Sequence, residues 1–264
     1  TPARYAAASD ADKAGMVEEV LGLIREINAF PITYMSDVGI DNEILRCLDY
    51  TPEFKDNTIR AGAGVGSPVC NFLFPNIFSA YSASDTGKGA LKSTYGKFYD
   101  DDYIRRAITF CWLYSNSTPT PSSLLAAIRL NGSSPTNFRP MNAKAIYERF
   151  TPQDGTIYDF STGFGGRLLG AMSSRKNFRY VGTDPNTETM YNMHRLVEAL
   201  DNAIPTSSTL DRVKDRVELH CCGSEVFFGP GESVDFAFSS PPYFDLEIYS
   251  DEASQSVNKF PQLD

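Results

Sequence analysis

Long apolar runs are missing from this 264-residue chain. No stretch approaches the ~18 consecutive apolar residues that a membrane-spanning helix needs. The opening Thr1-Pro2-Ala3-Arg4-Tyr5 lacks the basic-then-apolar pattern of a secretory signal. Histidine is scarce, with only His194 and His220, so a histidine-based metal site is not expected. The five cysteines (Cys47, Cys70, Cys111, Cys221, Cys222) include no C-x-x-C pair, which argues against zinc or dithiol chemistry and for reduced thiols in a cytosol. Cys221 and Cys222 end an apolar run with nothing nearby to lower a thiol pKa, and are expected in the core. Neither a G-x-G-x-x-G fingerprint nor a Walker lysine is present, which disfavours nicotinamide and ATP.

Positive charge is also short. The chain has 24 Lys+Arg against 33 Asp+Glu, a net charge of -9. Residues 1–150 are nearly balanced, 15 against 16, whereas residues 151–264 carry 9 against 17. Phosphate contacts dominate affinity for nucleic acid. A nucleic-acid-facing surface is therefore expected to be local, or to lie outside this chain.

What is present is enough apolar material, 42%, to bury a full core. Val17, Val20, Leu21, Ile24 and Ile27 recur at helical spacing over Asp10–Asn28. Helices are also expected at 41–50, 101–114 and 121–130, the last opened by a proline and stopped by Asn131-Gly132. Residues 60–97 show no clean period and read as loops with short elements. After a short helix at 142–150, strands and helices alternate: strand 156–160, helix 166–174, strand 180–183, helix 187–200, strand 217–221, strand 234–238. Such alternation implies a parallel sheet flanked by helices. The expectation is an α/β protein, with a mainly helical region over 1–135, whose charge balance permits DNA contact, and a Rossmann-like sheet over 136–264.

Three strand ends carry polar chemistry. In Asp159-Phe160-Ser161-Thr162-Gly163-Phe164-Gly165-Gly166-Arg167, an acid and glycines occupy the first strand-to-helix turn, where open α/β sheets bind ligands. A plain tight turn is the alternative. Asp184 ends the next strand, 19 positions after Gly165, the interval at which dinucleotide folds place a ribose-binding acid. A cap for the helix starting at Thr187 is the alternative. Ser224 and Glu225 follow the third strand, to meet an adenine edge or simply to turn. An adenosine without phosphates suits a loop that offers an acid instead of a phosphate cradle.

The sharpest signal is Ser239-Ser240-Pro241-Pro242-Tyr243-Phe244. Two prolines stop the strand and stiffen the loop, and an aromatic ring follows. A hydroxyl, a fixed carbonyl and a ring are what a flipped base with an amino group requires.

Ser240-Pro241-Pro242-Tyr243 resembles the (Asp/Asn/Ser)-Pro-Pro-(Tyr/Phe/Trp) motif of the S-adenosylmethionine-dependent DNA N6-adenine and N4-cytosine methyltransferases. Asp159 to Gly165 is similar to their Asp-x-x-x-Gly-x-Gly cofactor motif. Asn137-Phe138-Arg139-Pro140, Gly163 to Gly170 and Pro241 to Asp245 resemble phage-encoded members, and the likeness runs from about Asn137 to Phe260. The resemblance implies a class I methyltransferase sheet and S-adenosylmethionine as cofactor. It puts Asp159, Ser161, Gly163 and Gly165 on the methionine side, with Asn137, Phe138 and Arg139 beside it, Asp184 on the ribose, and Ser224 and Glu225 near adenine. Ser240, Pro241, Pro242 and Tyr243 would form the catalytic site for a base flipped out of double-stranded DNA, in the cytoplasm of a bacterial or phage-infected cell, as in restriction-modification.

Serine at position 240 points to the cytosine branch, whereas cofactor motif before catalytic motif points to the adenine branch. The family sheet has three further strands after the catalytic loop, while 21 residues follow Tyr243, so a fragment is expected. Methyltransferases of RNA bases or protein glutamine share a Pro-Pro-Tyr loop and remain alternatives, as does a non-catalytic nucleic-acid-binding module. The polar run from Tyr249 to Ser256 reads as a solvated helix start or a substrate contact.

Overall fold

The computed structural model describes residues 1–56, 58–62, 64–82, 93–114, 118–130, 134–207, 209–227, 229, 233–243 and 246–260. The chain divides into two compact units: Thr1–Thr33 with Phe78–Pro135 and Leu246–Ile248, and Tyr34–Ile77 with Thr136–Asp245 and Tyr249–Asp264. Residues 34–77 thus belong with the parallel sheet, so the division is not a single cut near residue 136. Elements are numbered along the chain.

The first unit is largely helical. It contains α1 (Pro2–Ala7), α2 (Asp10–Ile27), α5 (Thr94–Phe98), α6 (Asp101–Leu113) and α7 (Pro121–Leu130). A small antiparallel pair joins β3 (Tyr81–Ser82) to β8 (Glu247–Ile248). Side-chain caps start the longer helices: Ser9 accepts from the Asp12 amide, and Asp100 from that of Tyr103. The expected helix stop, Asn131-Gly132, lies outside the described residues. The apolar stripe of α2 puts Val17 and Leu21 into a core with Ile104, Ile108, Trp112, Leu124 and Ile128.

The second unit holds α3 (Asp37–Asp49), the hairpin β1 (Glu53–Lys55) and β2 (Thr58–Arg60), and α4 (Ser67–Leu73). It continues with α8 (Pro140–Phe150), β4 (Thr156–Asp159), α9 (Gly166–Met172), β5 (Arg179–Thr183) and α10 (Thr187–Ala203). Last come α11 (Val213–Arg216), β6 (Val217–His220), β7 (Phe236–Ala237) and α12 (Ser256–Lys259). The chain is an α/β protein whose four-stranded sheet is parallel throughout, in the order β6-β5-β4-β7. The earliest strand, β4, lies between the second and the fourth. That reversal makes the carboxyl ends of β4 and β7 a topological switch point, where open sheets form a ligand crevice.

Register sets the two faces. Val217, Tyr180, Ile157 and Phe236 form one row; Glu218, Val181, Tyr158 and Ala237 form the next. Tyr180 and Ile157 are fully buried, and Tyr147 of α8 packs edge-on against Phe236. In the second row Glu218 and Ala237 are exposed and Tyr158 is partly so. Lys144, buried on α8, donates to the carbonyls of Cys47, Leu48 and Tyr50 and so satisfies the last turn of α3.

All five cysteines are free. Cys221 is exposed and Cys222 half-buried, against the expectation that both sit in the core. The reason is local: β6 ends at His220, so the pair falls in the turn beyond the strand. No described helix is long and apolar enough to cross a membrane.

Candidate active site

The loop after β4 is built around Asp159, which is fully buried. Its Oδ2 accepts from Arg167 Nε at 2.7 Å and from the Tyr180 hydroxyl at 2.6 Å. Its Oδ1 accepts from the Ser239 hydroxyl at 2.7 Å and from the Ser161 amide at 3.3 Å. Arg167 also donates through Nη2 to the Ser161 carbonyl. Burial opposes the Arg167 charge, but the adjacent carboxylate prevails and holds the guanidinium above its ordinary range. Burial, reinforced by Asp159, keeps Tyr180 protonated. Asp159 therefore organises the loop from below and does not face an open ligand space. Arg167 and Ser239 fall within the motif segments and Tyr180 in the second strand, but the sequence assigns none of them a role. A charge among the apolar neighbours Leu168 and Leu169, eight residues after an acid, was the available signal for Arg167.

The glycines have separate reasons. Gly163 has φ +59°, and a built Cβ would meet Arg167 Nη2 at 3.7 Å, an ordinary contact distance, so the backbone conformation is what calls for glycine. At Gly166 a Cβ would lie 2.0 Å from the Phe138 carbonyl oxygen, so this position admits the Asn137-Phe138 backbone. Asn137 Nδ2 donates to the Phe164 carbonyl at 2.6 Å. The Phe138 ring lies 5.9 Å from the Arg167 guanidinium and 5.5 Å from Phe238. Arg139 is exposed at the start of α8.

Asp184 ends β5 beside the glycine loop. Its Oδ2 accepts from the Gly163 amide and its Oδ1 from the Asn186 amide, both at 3.0 Å. Burial pushes its carboxyl up to about 6, against the lowering effect of those two amides. The helix cap is instead Asn186, which accepts from the Thr189 amide. Among the described residues each Asp184 oxygen accepts one hydrogen bond. Ser224 and Glu225 are exposed after β6, and the Lys259 ammonium paired with Glu225 lowers the latter's pKa.

Beyond Ser239, Ser240, Pro241 and Tyr243 are exposed, Tyr243 by 65%, and Pro242 is partly buried. Phe244 and Asp245 lie outside the described residues. The polar run that follows is tied down: Glu252 accepts from the Thr187 amide and hydroxyl, and Ser254 donates to the Pro185 carbonyl. The Tyr249 ring sits 5.8 Å from Phe164. These residues therefore run past the β4 and β5 loops.

No protein-family model, curated protein or solved structure matches this chain. The chemistry is accordingly read from the site itself. Among the described residues no His, Cys, Asp or Glu cluster is arranged to hold a metal. A cavity of about 640 Å³ lies at the opposite, amino end of the sheet, lined by Arg179, Arg212 and Arg216 and by Asp154, Asp211 and Asp215. Its charges balance, and none of the strand-end motifs reaches it.

Arg167, beside the glycine loop, is buried and paired with Asp159. Asp184 reaches the same loop by accepting from the Gly163 amide. On the neighbouring strand, Ser240 and Tyr243 present a hydroxyl and a ring.

Proposed function

We propose that this chain transfers a methyl group from S-adenosylmethionine to the exocyclic amino nitrogen of a DNA base, adenine N6 or cytosine N4. The observation that carries the reading is the juxtaposition at the switch point. The acid-and-glycine loop after β4 and the Ser-Pro-Pro-Tyr loop after β7 leave adjacent parallel strands and are joined by the Ser239–Asp159 hydrogen bond. Such a pair suits a methyl donor on one loop and an acceptor base on the other.

In this reading the glycine loop and Asp184 hold the donor, with the Asp184 carboxylate accepting from the ribose hydroxyls. When bound, the cofactor supplies an electrophilic methyl on sulfur. A base amino group is a poor nucleophile because its lone pair is delocalised into the ring. The Ser240 hydroxyl and the Pro241 carbonyl accept hydrogen bonds from that amino group and favour a pyramidal nitrogen, whose lone pair is then free to attack the methyl carbon in line. The N–CH3 bond would form as the S–CH3 bond breaks, S-adenosylhomocysteine would leave, and the methylated nitrogen would release one proton to solvent. Tyr243 stacks on the base, which must leave the duplex to reach it.

The net charge of -9 favours a second reading, methylation of a protein side-chain amide, for which no polyanion need be approached. Methyl-labelled donor incubated separately with duplex DNA, RNA and glutamine peptides distinguishes them. Label is expected in DNA, on N6-methyladenine or N4-methylcytosine after digestion. Label confined to peptide or RNA overturns the DNA assignment.

A further inference from the structure

We propose that Ser239 is a positioning residue that couples the donor loop to the acceptor loop. The proposal rests on the methyl-transfer reading above. Ser239 directly precedes the residue that would meet the target amino group. Its hydroxyl donates to Asp159 Oδ1 at 2.7 Å and approaches the Ser161 carbonyl at 3.4 Å. Asp159 is immobilised in turn, its second oxygen held by Arg167 and Tyr180. Arg167 also holds the Ser161 carbonyl, so both atoms that Ser239 approaches belong to one cross-braced unit.

Downstream of Ser239 the acceptor loop has little else to fix it. Ser240, Pro241 and Tyr243 are exposed, and β7 is only two residues long. Neither Ser240 nor Tyr243 makes a hydrogen bond among the described residues. A hydroxyl-to-carboxylate bond is short, directional and stronger than a neutral one. Here it sets the origin of the exposed loop relative to the glycine loop. In-line transfer tolerates little error, since a misplacement of ~1 Å can cost about a hundredfold in rate. Ser239 touches neither donor nor base; it acts through Ser240 and through Asp159.

The test compares Ser239→Thr with Ser239→Val, two side chains of one shape that differ in the hydroxyl, beside Ser239→Ala and the parent. Single-turnover methyl transfer and calorimetric binding of S-adenosylhomocysteine are measured, with hydrogen exchange at the Ser240 and Tyr243 amides, the two that the loop carries. The Thr protein should retain transfer. The Val and Ala proteins should lose at least about tenfold in the transfer rate, with S-adenosylhomocysteine affinity within about twofold of parent. In the parent and Thr proteins, S-adenosylhomocysteine should slow exchange at the Ser240 and Tyr243 amides; in Val and Ala it should not. A parent that transfers methyl groups, with Thr and Val variants equal in rate and in protection, overturns the coupling alone. A parent that neither binds S-adenosylhomocysteine nor transfers methyl overturns the methyl-transfer reading, and the coupling with it.

Discussion

The loops after β4 and β7 leave neighbouring parallel strands at the same edge of one sheet, yet their environments are opposite. The first is buried and cross-braced: Asp159 has four donors, and Arg167 is shared between that carboxylate and the Ser161 carbonyl. The second emerges into solvent beyond Ser239, with Ser240 and Tyr243 exposed. The difference assigns separate tasks. A buried charge pair gives little net stability compared with an apolar core but strongly penalises the loss of one partner, so it fixes geometry. Exposed groups cost the fold little and are available to a substrate. Substitutions in the first loop should damage the fold; those in the second should damage chemistry and leave the fold intact.

The largest effect should follow Asp159→Ala, which leaves Arg167 buried without its carboxylate. A loss of about 3–5 kcal/mol in urea unfolding is expected. A change under about 1 kcal/mol would mean that the brace is ornamental. Next comes Gly166→Ala, whose Cβ would sit 2.0 Å from the Phe138 carbonyl oxygen and must displace backbone. Overpacking of that kind should cost about 1–3 kcal/mol and weaken S-adenosylhomocysteine binding; unchanged affinity would remove residues 137–139 from the donor side.

Asp184 gives a smaller, pH-dependent signal. Its carboxyl is raised to about 6, so the folded state holds a proton there that the unfolded chain releases at lower pH. Asp184 therefore works against stability at neutral pH, and protonation through about 6 relieves that burden. Ligand affinity should run the other way, since ribose hydroxyls donate to the carboxylate. S-adenosylhomocysteine binding should be full above about pH 6 and fall as pH drops through it, by about tenfold at one unit below. Asp184→Asn should bind weakly and without that pH profile. Gly163→Ala should be the mildest change to the fold, about 1 kcal/mol for an alanine at positive φ whose methyl meets its neighbours at ordinary contact distance.

Much of this was legible in residue order. The 3.6-residue spacing of Val17, Leu21 and Ile24 marks α2, and strand-helix alternation after Pro140 marks the parallel sheet. Boundaries were less legible: α3 starts at Asp37 because Ser36 caps it, ahead of the first clear apolar period. Tertiary relations were hidden. Nothing local says that Lys144 caps α3, or that residues 34–77 join the sheet. At the site, spacing found Asp159 and Asp184 but not their orientation. Asp159 is turned inward by Arg167, whereas Asp184 is spared helix capping by Asn186.

In the proposed reading the exposed loop performs the chemistry while the buried loop and Asp184 hold the donor. The most direct measurement is single-turnover methyl transfer to duplex DNA by Ser240→Ala and Tyr243→Ala proteins, with S-adenosylhomocysteine affinity measured alongside. Tyr243→Ala removes a stacking face worth ~1–3 kcal/mol per base, and Ser240→Ala removes an acceptor at the amino group. Both are expected to slow transfer at least about tenfold, which corresponds to ~1.4 kcal/mol of transition-state stabilisation, with donor affinity and unfolding midpoint near parental. Near-parental transfer in both variants would contradict the account and leave Ser240-Pro241-Pro242-Tyr243 as a rigid strand terminus.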